Sequence, residues 1–107
     1  MTAGAAPMQA EVIVWEGDAA PDEGELRARL AREGFDALAW SDPPGADYAP
    51  HRHEHDESLW VVRGEITLGI AGARHRLHPG DRLMLPAGTL HEAQAGPEGA
   101  TYLIGRR

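Results

Sequence analysis

The chain has 107 residues, no cysteine and a formal charge of −7 at neutral pH. That length suits one small domain, and the lack of cysteine rules out a disulfide framework and fits a reducing cytoplasm. The acidic balance excludes a basic nucleic-acid surface, no apolar run reaches membrane length, and the first residues do not read as a secretory leader.

The 13 glycines and 8 prolines call for many turns, as in a barrel of short strands. Met1 to Gln9 is small and polar-neutral, and disorder is expected at its start. Glu11 to Trp15 reads as a strand through Val-Ile-Val-Trp. Pro21 to Arg32 reads as the one helix: Asp22 caps it, acidic residues fill its first turn, and Leu26 and Leu30 form an apolar i, i+4 pair. Gly34 ends it. Phe35 to Trp40 is the next strand, followed by a turn cluster from Ser41 to Gly45. Hairpins follow Tyr48, with strands at Leu59–Val62, Ile66–Ile70, Arg74–Leu77, Arg82–Leu85, Glu92–Ala95 and Thr101–Ile104, and a turn at Ala71-Gly72.

Four metal-ligand residues stand out in two Gly- and Pro-punctuated segments: His51, His53 and Glu57 in the first, His91 in the second. In an extended strand His51 and His53 point to the same side. A tight reversal at Glu54, His55 and Asp56 would return Glu57 on the neighbouring strand, with Gly64 at the far end of that hairpin. Gly80-Asp81 and Pro86 to Gly88 are turn signals around the apolar strand Leu83–Leu85, and His91 follows as a ligand from a distant strand. Three imidazoles and one carboxylate suit one divalent transition metal per chain (Fe, Mn, Ni, Cu or Zn) and leave positions open for chemistry.

The segments resemble the paired motifs of the cupin superfamily. Gly45 to Gly64 fits G-x5-H-x-H-x3-E-x6-G at every fixed position, and Gly80 to His91 fits G-x5-P-x-G-x2-H. Many cupins continue to an Asn where this chain has Ala95, a residue that is not a ligand. The resemblance implies an all-β, double-stranded β-helix (jelly-roll) barrel with one short N-terminal helix. The motifs and the segment between them cover about half the chain, which is expected to be a single domain with an N-terminal strand and helix extension over residues 1–44 and the motif core over 45–107.

Other residues are read more plainly. His55, at the hairpin tip, is expected as a solvated turn residue, with a proton shuttle as the alternative. His75 shares parity with Leu77 and is expected as a hydrogen-bonded structural histidine, or else as a donor behind the ligands. His78 is an exposed turn residue. Tyr48 is either a hydrogen-bond donor near the pocket or a rim aromatic, and Arg52 and Glu92 alternate away from the site. If Glu57 faces inward, so do Leu59 and Val61, while Trp60 and Val62 face outward and need cover. The N-terminal strand or helix would cover them in one reading and a second copy in the other, and a homodimer is the expected assembly.

The expected function is that of a small metalloenzyme of the dioxygenase type acting on a small organic molecule, as in cupins with these four ligands that oxidise diketones, flavonols and thiols. A redox-neutral zinc enzyme, such as an isomerase, is the alternative. A non-catalytic module binding metal or a small ligand is the other class, and substrate-dependent O2 consumption separates it from an oxygenase.

Overall fold

Alternating side chains along two long strands divide the apolar residues between two faces of a single sheet. The computed structural model describes residues 8–107, so the expectation for the start of Met1 to Gln9 lies, up to residue 7, outside the described residues. In chain order these form β1 (Glu11–Ile13), α1 (Glu23–Arg32), β2 (Asp36–Asp42), β3 (Asp47–His51), β4 (Glu57–Ile70), β5 (Ala73–Leu77), β6 (Arg82–Leu85) and β7 (His91–Arg106). The strands pair antiparallel in the order β1-β6-β4-β7-β2, with β3 added on β7 and β5 on β4. The expected all-β architecture with one short helix is what the chain forms.

Trp60 and Val62 pack outward with Leu26, Leu30, Phe35 and Leu103. Val61 points the other way, into the core of Ile66, Leu68, Leu77, Leu83 and Leu85, against which Leu59 also packs. The expected inward and outward sets of β4 are therefore correct. The outward pair is covered by the chain's own α1, and so offers no face to a second copy. Burial of these side chains contributes about 1.5–3 kcal/mol each. Arg82 anchors the end of α1 to the sheet: its buried guanidinium donates to Ser58 Oγ at 2.7 Å, pairs with Glu33 through both terminal nitrogens, and lies 4.4 Å from the Trp60 ring centre. The helix begins two residues later than expected, because the Asp22 carboxylate accepts from Gly24 N at 2.8 Å and so makes Asp22 the N-cap.

Three expectations about the strands need correction. Gly64 does not end a hairpin: β4 runs through it from Glu57 to Ile70, with register shifts on either side. Gly64 has φ +72°, and a Cβ there would stand 2.2 Å from the Gly99 carbonyl oxygen, so the position demands glycine because two backbones cross at contact distance. Likewise Glu92–Ala95 and Thr101–Ile104 are parts of one strand, β7, held by pairing with β4, β2 and β3 up to Ala95 and again from Ala100, with the Gly and Pro punctuation as an unpaired stretch between. Finally, β3 and β4 are not neighbours. Each pairs with β7, and β3 ends at His51, leaving His53 in the connecting loop.

Candidate metal centre and cavity

The two turns that carry the ligand residues are laced together by backbone. Gly88 N donates to the His53 carbonyl at 2.7 Å, and Ala87 N donates to the Asp56 carboxylate at 2.8 Å. His51, the last residue of β3, sits opposite His91, the first of β7. Each holds its Nδ1 against a carbonyl two residues back, His51 on Ala49 at 2.7 Å and His91 on Thr89 at 2.8 Å. An Nδ1–H donated to a carbonyl leaves the Nε2 lone pair free, the tautomer a metal ligand requires.

The three ring centres lie close: 4.3 Å for His51–His91, 4.9 Å for His51–His53 and 5.1 Å for His53–His91. One ring nitrogen from each falls within 4.8 Å of the others. Donors about 2.1 Å from a common first-row ion stand roughly 3–4 Å apart, so these side chains fit one divalent cation after small rotations. Burial, with the neighbouring imidazoles, pushes the His91 pKa down, which keeps that ring neutral and available.

Glu57 opens β4 beside this cluster. One carboxylate oxygen lies 3.6 Å from His53 Nε2, and the other meets His55 Nε2 at 2.9 Å. Glu57 thus groups with His53 and His55 rather than with all three other imidazoles. His55 is not the free turn residue expected of it. Its ring stacks on His53 at 5.2 Å, and its Nε2–H holds the Glu57 carboxylate.

The cluster opens into a cavity of about 240 Å³. Apolar side chains of the inner core, such as Ile66, Leu68 and Leu83, line one part of it, and Trp40, Tyr48 and Tyr102 line another. Behind the aromatics lies Asp42, only 7% exposed. Its carboxylate accepts from Trp40 Nε1 at 2.8 Å, from the Tyr48 hydroxyl, and from the Tyr102 hydroxyl at 2.6 Å. The bond to Asp42, with burial, raises the Tyr48 pKa; burial, with the bond to Asp42, raises that of Tyr102. Both phenols stay protonated and act as neutral donors.

Sequence reasoning missed Asp42 because it stands in the run Ser41 to Gly45, where Pro43, Pro44 and Gly45 signal a turn. In the fold β2 continues through Asp42, which pairs with Ala100. The usable signal was parity with Trp40 on one strand face. Tyr48 lines the cavity, with its hydroxyl turned to Asp42. His75 lies half-buried opposite Leu68 and does not line the cavity. His78 is exposed near Glu65 and Asp81, and Arg52 and Glu92 are exposed, as expected. Ala95 is core: its methyl is buried and its N–H donates to Ala46 O at 2.8 Å. No described helix is long and apolar enough to cross a membrane.

Comparison with known proteins places this geometry among relatives. The family model described as a cupin domain matches residues 39–104. Dimethylsulfoniopropionate lyase DddW of Ruegeria pomeroyi is 30% identical over 105 residues, which span 92% of this chain and 69% of that protein. Quercetin 2,3-dioxygenase of Bacillus subtilis is 34% identical over 58 residues, 53% of this chain and 17% of that protein. Among solved structures, KdgF from Halomonas sp. is 33% identical with a TM-score of 0.58, covering 68% of this chain and 70% of that one. The DMSP lyase DddQ from Ruegeria pomeroyi is 27% identical with a TM-score of 0.63, covering 68% of this chain and 38% of that one.

Proposed function

This chain belongs to the cupin family, and on that premise we propose that it is a metal-dependent lyase acting on a small carboxylic acid with a leaving group β to the carboxylate. The observation that carries the proposal is the extent of the match to DddW, 92% of this chain and 69% of that lyase. The cavity agrees: about 240 Å³ is below the roughly 300–1,000 Å³ of sites for drug-sized ligands.

His51, His53, Glu57 and His91 are the proposed ligands. A divalent cation on these donors would supply a Lewis acid for the substrate carboxylate. Elimination then balances without an oxidant. The α-carbon gives up its proton, the C–H pair becomes the double bond, and the leaving group departs with the β-bond pair. Tyr48 and Tyr102, held protonated with their hydroxyls donated to Asp42, shape the cavity beside the substrate and do not serve as the base. His55 is the imidazole outside the ligand set that stands beside Glu57. It holds that carboxylate through Nε2–H and does not line the cavity, so it positions a ligand, and the α-proton passes to solvent base entering the cavity.

The test is headspace detection of dimethyl sulfide, with proton NMR of the unsaturated acid, after mixing metal-loaded protein with dimethylsulfoniopropionate and a panel of related β-substituted acids. Products at catalytic turnover support the reading. The dioxygenase expectation, drawn from the resemblance to cupins with these four ligands, is supported by a match to only 17% of its relative and is the second reading. It predicts substrate-dependent O2 uptake and no elimination product. Silence in both assays would favour a non-catalytic binding module.

A further inference from the structure

We infer that Asp56 is a positioning residue for the metal centre: its carboxylate clasps the turn that leads to His91 against the loop that carries His53, and so keeps the two ligand-bearing segments in register. The inference rests on the reading of His51, His53, Glu57 and His91 as the ligands. It adds a side chain, itself no ligand, that sets how tightly those four bind.

Connectivity is the first argument. His51 and His91 are fixed by their strands, which pair with each other at these two residues. His53 has no such support. It lies in residues 52–56, which join β3 to β4, two strands that are not neighbours. Two hydrogen bonds tie this loop to the turn at residues 86–89: Gly88 N donates to the His53 carbonyl at 2.7 Å, and Ala87 N donates to Asp56 Oδ1 at 2.8 Å. The first is backbone to backbone and would form with any residue at 53. The second depends on one side chain. The same turn is closed by Thr89 N on the Pro86 carbonyl at 3.2 Å, and its Thr89 carbonyl holds His91 Nδ1. Asp56 therefore links the loop of His53, and Glu57 that follows it, to the group that orients the His91 ring.

The anchoring of Asp56 is the second argument. Its N–H and carbonyl pair reciprocally with the backbone of Arg107, both at 3.1 Å. The Arg107 guanidinium in turn donates to the Glu33 carbonyl at 2.6 Å and lies 4.2 Å from the Phe35 ring centre. The carboxylate thus reaches Ala87 from a fixed point of the fold. A bond from N–H to a carboxylate is stronger than one between neutral groups, and a loop ordered in advance lowers the cost of binding. Asp56 forms no ion pair among the described residues, so its part is that of an acceptor, which an amide oxygen can also fill.

The test pairs Zn(II) affinity, from chelator competition, with amide hydrogen exchange at Gly88 in the metal-free full chain. Asp56→Ala should weaken Zn(II) binding about tenfold or more, as the loss of other groups that orient a ligand does, and should speed exchange at Gly88 at least tenfold. Asp56→Asn, which still offers an oxygen to Ala87 N, should stay within threefold of the natural chain in both. If Asp56→Ala does not fold, Asp56→Ser, whose hydroxyl stops one bond short of Ala87 N, takes its place with the same expectation. A side chain that served only the fold would lower the urea midpoint and leave the affinity of the folded protein where it was. A Zn(II) affinity within threefold in Asp56→Ala, or an Asp56→Asn protein as weak as Asp56→Ala, overturns the proposal and leaves the ligand set standing. Equal Zn(II) affinity in the natural chain and in His51→Ala/His91→Ala overturns the ligand set and the proposal together.

Discussion

His55→Ala tests whether the hydrogen bond to Glu57 sets the affinity of the metal centre. In the fold His55 Nε2 meets one Glu57 oxygen at 2.9 Å, leaving the other facing His53. Loss of an orienting partner behind a ligand weakens metal binding about 10–100-fold. With free metal at about 100 times the original Kd, binding adds about 2.7 kcal/mol of stability; a tenfold weaker site keeps about 1.4 and a hundredfold weaker one about 0.4. At roughly 4–8 °C per kcal/mol for a domain near this size, the metal-dependent rise in Tm should drop from about 11–22 °C to about 6–11 °C or 2–3 °C. The apo protein should lose at most about the 1 kcal/mol of one partly exposed hydrogen bond, because the His55 side chain is 35% exposed and its bond is to Glu57. Chelator competition gives the Kd directly, and scanning fluorimetry gives the two Tm values. His55→Gln, whose amide can still donate to Glu57, should recover part of the loss. A Kd within twofold of the original in His55→Ala, with an undiminished metal-dependent rise, would refute the reasoning.

Three further outcomes are expected. Plasma mass spectrometry of untagged protein should find near-stoichiometric metal that a His51→Ala/His91→Ala double variant lacks; equal metal in both would remove these residues from the ligand set. Gly64→Ala should cost at least about 2 kcal/mol in urea unfolding, since a left-handed non-glycine residue alone costs roughly 1–2 and the added Cβ meets Gly99 O at 2.2 Å; a cost under 0.5 would count against that crossing. The hydrogen bond from Arg82, with its charge, lowers the Glu33 pKa from the ordinary 4.5. The folded value lies below the unfolded one, so this pair's contribution is complete above 4.5 and is lost as pH falls through that value and on through the lowered folded one. The stability gap between the natural chain and Arg82→Met should therefore narrow on acidification across that window; a gap independent of pH in urea midpoints would contradict it.

Local chemistry in the sequence determined a good deal: the helix and its Asp22 cap, the inward and outward sets of β4, the Ala71-Gly72 turn and the residues that gather at the histidine end. Each depends on neighbours in sequence, on strand parity, or on side chains that mark a turn or helix end by their own bonding. The continuity of β4 and β7 was not readable in this way. Glycine and proline interrupt the ladder at residues 96–99, but β7 is paired on both sides up to that stretch and again after it, and that pairing is a property of distant segments. The same holds for the bond from His55 to Glu57, which depends on how the reversal before β4 is pulled against the turn at Gly88. Asp42 is the clearest case. Its sequence neighbours signal a turn, and only the packing of β2, β3 and β7 brings Tyr48 and Tyr102 to its carboxylate, because the partners that satisfy a buried charge are chosen by the fold and lie up to 60 residues away.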